Sequence, residues 1–201
     1  MPLQSRVSPF GELFASLARG TLMGNRGGRL HGAQKELGAR RWASRQWICC
    51  ELEFNNRHRK VWADSYTELF FLDEVTALAA GHRPCFECRR QDAENFAALF
   101  SGKTKRASAP AMDMILHTER LDAKAKRMHQ RNIDTLPDGA MIARDGKAFT
   151  VRGKSLLAWT PSVYAQVLPR PRGIAVDMLT PPSIAAVLKA GYAPRWHSSA
   201  H

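Results

Sequence analysis

The chain has 201 residues, enough for one domain or two small ones at roughly 100–200 residues each. Hydrophobic residues make up 44% and charged residues 24%, which excludes collagen-like, coiled-coil and wholly disordered classes. Against 18 Asp and Glu stand 30 Lys and Arg, a formal net charge of +12 that favours polyanionic partners, nucleic acid ahead of an anionic membrane surface.

No apolar stretch has the length of a bilayer span, and the most apolar one, 69–81, is interrupted by Asp73 and Glu74. The N-terminus lacks the charged, apolar and small-residue succession of a signal peptide, so a cytoplasmic protein without a membrane partner is expected. The 4 cysteines are too few for a disulfide scaffold, and their spacing suits a metal instead. Charge is segregated: residues 1–60 carry +7, 61–100 carry −4, 101–160 carry +6 and 161–201 carry +3. Such a pattern fits a core block flanked by polyanion-binding arms, and it equally fits ordinary surface variation. The small, polar and basic segment 101–110 is a candidate linker. It divides the chain into units 1–105 and 106–201, or else forms a loop within one continuous domain.

Taken in order, residues 1–32 are expected to be loop-rich because of their glycines. Residues 47–54 read as a strand closed by Asn55-Asn56, and 66–72 as a second strand. Asp73 is placed to cap a helix over 74–80 that stops at Gly81. A second helix is expected from about Pro84 to Phe100, with Ala93, Phe96, Ala97 and Phe100 on one face. A longer helix is expected over 112–132, with Met114, Leu121, Ala125 and Met128 on its apolar side. Asp145-Gly146 marks a hairpin between strands 140–144 and 147–151, because this pair accepts the positive φ angles of a type I′ turn. Gly153-Lys154 then turns the chain into a strand at 156–160, a further strand covers 174–179, and Thr180-Pro-Pro-Ser183 opens a terminal helix over 184–189. Strands and helices mix without β-α-β alternation, so the fold class is α+β. It comprises a small N-terminal strand-helix unit, a basic helix, and a C-terminal antiparallel β-meander with a terminal helix.

Cys85-Phe-Glu-Cys88 at the start of a helix has the spacing to grip a tetrahedral metal from one side, zinc being the usual occupant. Two buried thiols at a helix start would look the same. Residues 67–92, through Ala79-Ala-Gly-His-Arg-Pro-Cys85-Phe-Glu-Cys88, resemble the second half of the metal-binding domain of Ada adaptive-response DNA-repair proteins. The resemblance implies a zinc held by four cysteines, DNA contacts through basic residues, and a zinc thiolate that accepts a methyl group from a phosphotriester. Cys85 and Cys88 would be the downstream ligand pair. The family's upstream Cys-x-x-x-Cys pair has no counterpart, because counting back from Cys85 reaches His58 in Asn-Arg-His-Arg-Lys. The remaining cysteines are Cys49 and Cys50, which as strand neighbours face opposite ways, so one of them can join the site. The expected ligand set is therefore Cys50 (or Cys49), His58, Cys85 and Cys88, with His31 and His82 in reserve. Methyl transfer loses its acceptor and is not expected. The phrases Gly24-Asn-Arg-Gly, Tyr66-Thr-Glu-Leu-Phe-Phe-Leu-Asp-Glu, Leu136-Pro-Asp-Gly and Leu179-Thr-Pro-Pro-Ser also resemble a group of bacterial proteins to which no activity attaches.

Nucleic-acid contacts are expected from Arg40, Arg41, Trp42 and Arg45, which interleave cations with a flat ring. Trp47 beside them reads as core. A basic stripe of His117, Arg120, Lys124, Arg127 and Arg131 at helical spacing adds a second surface for phosphates, or a solvated face balanced by Glu119, Asp122 and Asp134. No Gly-x-Ser-x-Gly elbow, P-loop, His-Glu-x-x-His or dinucleotide fingerprint is present. A nuclease would draw on His82, His117 or His129, or on a divalent ion at Glu51, Glu53, Asp64 and Glu68. A repair activity would use Cys50, Cys85 or Cys88. The leading expectation is a DNA-related, nucleic-acid-binding protein with a structural or degenerate zinc site. The alternatives are such an enzyme and an interaction module without metal.

Overall fold

The computed structural model describes residues 1–56, 60–63, 65–102 and 106–201. Among the described residues, two six-stranded sheets, a two-stranded hairpin and four α-helices make an α+β fold. The first sheet is built from β1 (Arg6–Val7), β2 (Leu13–Phe14), β3 (Leu22–Asn25), β4 (Ile48–Cys50), β5 (Leu69–Phe71) and β6 (Arg83–Pro84), in the order β2-β1-β5-β3-β4-β6. The pairs β1–β5 and β4–β6 run parallel and the others antiparallel. The N-terminal segment expected to be loop-rich therefore supplies three strands. Two of them, β1 and β2, are only two residues long and pair with each other, and β1 also pairs with the distant β5. The strand expected over 47–54 is confined to Ile48–Cys50.

Helix α1 (Glu74–Ala79) starts where expected, with the Asp73 carboxylate accepting the Thr76 N–H at 2.9 Å. Helix α2 (Arg90–Ser101) starts later than expected. The residues before it are drawn into the sheet: Arg83–Pro84 pair with Ile48–Cys49, and Cys85 N–H donates to Cys49 O at 2.9 Å. Helix α3 (Ala109–Arg120) is capped by Ser108.

The helix expected over 112–132 is corrected by the structure. It ends at Arg120 and gives way to a hairpin of β7 (Leu121–Asp122) and β8 (Ala125–Lys126), which turns at Ala123 with φ 51°. The chain then enters β9 (His129–Asn132), paired with β14 (Ala175–Met178). Long-range pairing overrides a helix-favouring stretch that contains no Gly or Pro.

The second sheet adds β10 (Met141–Arg144), β11 (Lys147–Arg152), β12 (Ser155–Trp159) and β13 (Tyr164–Pro169), in the order β13-β12-β11-β10-β14-β9. Asp145 and Gly146 turn the first hairpin with φ of 51° and 71°, as the sequence predicts. Helix α4 (Pro182–Lys189) closes the order. One buried cluster joins Leu78 of α1, Phe96 of α2, Met112 and Leu116 of α3, Ile184 of α4 and Tyr192, so residues on both sides of the 101–110 segment share it. Buried ion pairs reinforce the join. Arg83 grips Asp113 through two hydrogen bonds of 2.9 and 2.8 Å, and Arg89 meets Glu74 at 2.8 Å, a carboxylate that also accepts from Tyr192 Oη at 2.7 Å. Among the described residues, no helix is long and apolar enough to cross a membrane.

Candidate metal centre and a cation-lined cavity

Strand alternation divides the two neighbouring cysteines. Cys49 packs with Leu22, Leu69, Phe71 and Ala77, whereas Cys50 points to the other side, against Met23 and Cys85. The parallel pairing of β4 with β6 then delivers the turn 85–88 to Cys50. The Sγ atoms of Cys50, Cys85 and Cys88 all lie within 4.8 Å of one another. A tetrahedral zinc with Zn–S bonds of about 2.3 Å needs sulfurs about 3.8 Å apart, so the three thiols fit a common metal after small side-chain adjustment.

Two backbone donors prepare the sulfurs for negative charge. Glu87 N–H reaches Cys85 Sγ and Glu51 N–H reaches Cys88 Sγ, both at 3.4 Å. Hydrogen bonds from Cys50 and Cys88 pull the Cys85 thiol far down, and the same sharing with Cys85 and Cys88 pushes Cys50 up. Cys50 and Cys85 are buried and Cys88 is half-buried. A cavity of about 290 Å³, lined by Asn25, Gly28, Phe54 and Tyr66 among others, opens beside all three.

Of the expected ligands, Cys50, Cys85 and Cys88 are brought together, Cys49 is not, and His58 lies outside the described residues. The reserve histidines do not join them. His31 engages Thr67 Oγ1 at 2.7 Å and Ala63 O at 2.9 Å, so both its ring nitrogens are occupied. His82 is buried between Trp47 and Phe71, where its Nε2 meets Arg26 Nε at 3.3 Å. Among the described residues no acidic group forms a second metal-type cluster. Glu51 pairs with Arg195 at 2.7 Å, Glu68 accepts from Trp62 N–H at 2.8 Å, Glu53 is exposed, and Asp64 is outside the described residues. Of the histidines considered for a nuclease, His129 Nε2 bonds Glu119 O at 2.8 Å and His117 sits edge-on to Trp42.

The residues expected to contact nucleic acid separate into two groups. Because α3 stops at Arg120, they form no helical stripe. Arg41, Trp42, Arg120 and Lys124 instead line one cavity of about 390 Å³, together with Arg26 and Lys126. Arg40, Arg45, Arg127 and Arg131 are exposed elsewhere; Arg127 faces Asp122 at 3.7 Å and Arg131 stands on β9 at the edge of the second sheet.

Trp47 organises the cavity floor. Its ring has the Arg26 guanidinium 3.9 Å from its centre and that of Arg120 at 4.0 Å. At such distances each face of the ring has room for one guanidinium, so the tryptophan is sandwiched. It is buried, in agreement with its reading as core. Burial and crowding depress the three innermost cations. Burial, then Arg120 and Arg41, lowers Arg26 well below its ordinary range. Burial, with a further push from Arg83 and opposition from Asp113, brings Arg120 to about 9. Burial, then Arg26 and Arg120, brings Lys126 to about 7. His82 behind them is held well below 6.5 by burial and then by the same two arginines.

Sequence reasoning missed Arg26 and Lys126. Arg26 sits in the Gly24-Asn-Arg-Gly phrase, the one available signal, and Lys126 falls in the part of the expected 112–132 helix that gives way to β8. No protein-family model, curated protein or solved structure matches the chain.

Proposed function

We propose that the protein binds nucleic acid, DNA in preference to RNA, at the cation-lined cavity and its rim, and that Cys50, Cys85 and Cys88 hold a structural zinc ion. The observation that carries the binding reading is the convergence of Arg41, Trp42, Arg120 and Lys124, from distant parts of the chain, around one cavity. Cations with an adjacent half-buried ring are the combination that pairs with phosphates and stacks a base. The net charge of +12 adds a field that draws in polyanions. The preference for DNA rests on the Ada-like phrase at 67–92. Zinc is favoured because three thiolates are soft ligands in a site closed on one side by the sheet. His58 is the sequence's candidate for the fourth position.

The test uses the full chain purified without tag or chelator. Elemental analysis is expected to give about one zinc per chain, as a closed tetrahedral site implies. Cys50→Ala loses the metal and Cys49→Ala keeps it. Labelled duplex and single-stranded DNA are retarded at low salt, with affinity falling steeply as salt rises. Unchanged mobility at low salt sinks the binding reading. Absent metal with freely titrating Cys85 and Cys88 sinks the zinc reading. Loss of activity without loss of folding in separate Cys85 and Cys88 variants would instead favour a thiol enzyme.

A further inference from the structure

Three cations meet at the floor of the larger cavity with no carboxylate among their partners. Arg26 and Arg120 are each 1% exposed. Arg26 donates to Gly11 O at 2.9 Å, to Arg41 O at 3.2 Å and to the His82 ring, and Arg120 donates to Gly81 O at 2.9 Å and Arg45 O at 2.6 Å. Lys126 Nζ donates to Ala79 O. Among the described residues none of the three forms a salt bridge. Elsewhere the fold gives buried Arg83 its Asp113 and buried Arg89 its Glu74, although buried Arg6 is likewise without a salt bridge among the described residues.

Buried cations without counter-charge are costly, and proteins pair them or bring an anion to them. Arg120 Nε is moreover buried with no hydrogen-bond partner among the described residues. Exposed Arg41 and Lys124 add two more cations to the wall, against a single acid, Glu12, which is engaged by Ser8 Oγ at 3.3 Å.

We infer that this cavity binds a phosphomonoester dianion, free or carried at the end of a nucleic-acid strand, with Arg26, Arg120 and Lys126 at its floor and Arg41 and Lys124 at its rim. A terminal phosphate suits the recess better than an internal phosphodiester. It carries about two charges rather than one near neutral pH, and only one of its oxygens continues into sugar, so it enters a concave site end-on. Half-buried Trp42 offers its ring to the base that follows. The inference rests on the nucleic-acid reading only for the strand that carries the phosphate, and the cysteine cluster has no part in it.

The experiment compares one labelled oligonucleotide with a 5′-phosphate or a 5′-hydroxyl, bound to the full chain at constant ionic strength, and measures thermal stabilisation by inorganic phosphate against chloride. The phosphorylated strand is expected to bind about tenfold tighter, the scale of one charge-assisted hydrogen bond. Inorganic phosphate raises Tm and erases the tenfold preference. Lys126→Gln, at a half-buried position, brings the ratio close to one, and Lys124→Ala on the exposed rim lowers it without touching the core. Equal affinity for the two strands, with no stabilisation by phosphate, overturns the inference and leaves the nucleic-acid reading standing. Stabilisation by phosphate that is lost in Lys126→Gln, with no oligonucleotide bound at all, upholds the inference and overturns that reading.

Discussion

Gly81 couples the end of α1 to the floor of the cationic cavity, and replacing it with alanine tests that coupling. Its φ is +90°, and a Cβ built there falls 2.7 Å from Arg120 Cδ and 2.8 Å from Arg120 Cβ. The second of these atoms is anchored to the end of α3, so Arg120 cannot swing its tip away to relieve the overlap. The backbone strain alone is about 1–2 kcal/mol. Displacing Arg120 also disrupts its bonds to Gly81 O and Arg45 O, which adds about 2–3 kcal/mol for charge-assisted bonds inside the protein. The sum, about 3–5 kcal/mol, is a large part of a typical domain's stability. Gly191→Ala supplies the control, since its φ is +104° and nothing lies within 4 Å of the added carbon. With a urea m-value of about 2 kcal/mol/M, Gly81→Ala should shift the midpoint by about 1.5–2.5 M and Gly191→Ala by about 0.5–1 M. Equal shifts in the two variants would mean that Arg120 is not held against Gly81, and the account of the cavity floor would fail with it.

Two further perturbations probe the charges. In phosphate-free buffer Lys126, held at about 7 against an ordinary 10.5 by burial and by Arg26 and Arg120, loses its proton in the folded chain while the unfolded chain still carries it. Stability therefore rises with pH between about 7 and about 10, and Lys126→Met flattens that rise in urea titrations; parallel curves for the parent and the variant would refute the assignment. Glu74→Gln leaves Arg89 facing a neutral partner at a site where both side chains are 0% exposed, and should cost about 3 kcal/mol because Asp92 still pairs with Arg89. The expected fall in Tm is about 6–12 °C for a chain of this size, and a change within error would show that Asp92 alone satisfies the guanidinium.

What could be read from the sequence follows the range of the interactions involved. Capping of α1 by Asp73, the Asp145-Gly146 hairpin and the opposite orientations of Cys49 and Cys50 depend on neighbours along the chain, and each was legible. The break at Arg120 was not. Residues 112–132 hold helix formers without a stop signal, and the signal that ends the helix lies in β14, which claims 129–132 for the second sheet. β1, β2 and β6 are two residues long, too short for any period to register; β1 and β6 are drawn in by the distant β5 and β4, and β2 by its neighbour β1. The cysteine cluster was partly legible for the same reason. Cys85 and Cys88 announce themselves by spacing, whereas Cys50 joins them only through the β4–β6 pairing.

That pairing sets both candidate sites at once. Along 47–50 successive side chains alternate, so Trp47 and Cys49 turn toward His82 and the apolar layer, while Ile48 and Cys50 turn toward the cysteine turn. A shift of one residue between β4 and β6 would exchange the faces, pulling Cys50 from Cys85 and Trp47 from between Arg26 and Arg120. Cys85 N–H to Cys49 O and Arg83 N–H to Trp47 O hold the register, at 2.9 and 3.1 Å. A metal bridging Cys50 to Cys85 and Cys88 would clamp the same two segments from the other side. Such a clamp would add to the hold on the β4–β6 register that also places Trp47 against Arg26 and Arg120 on the other face.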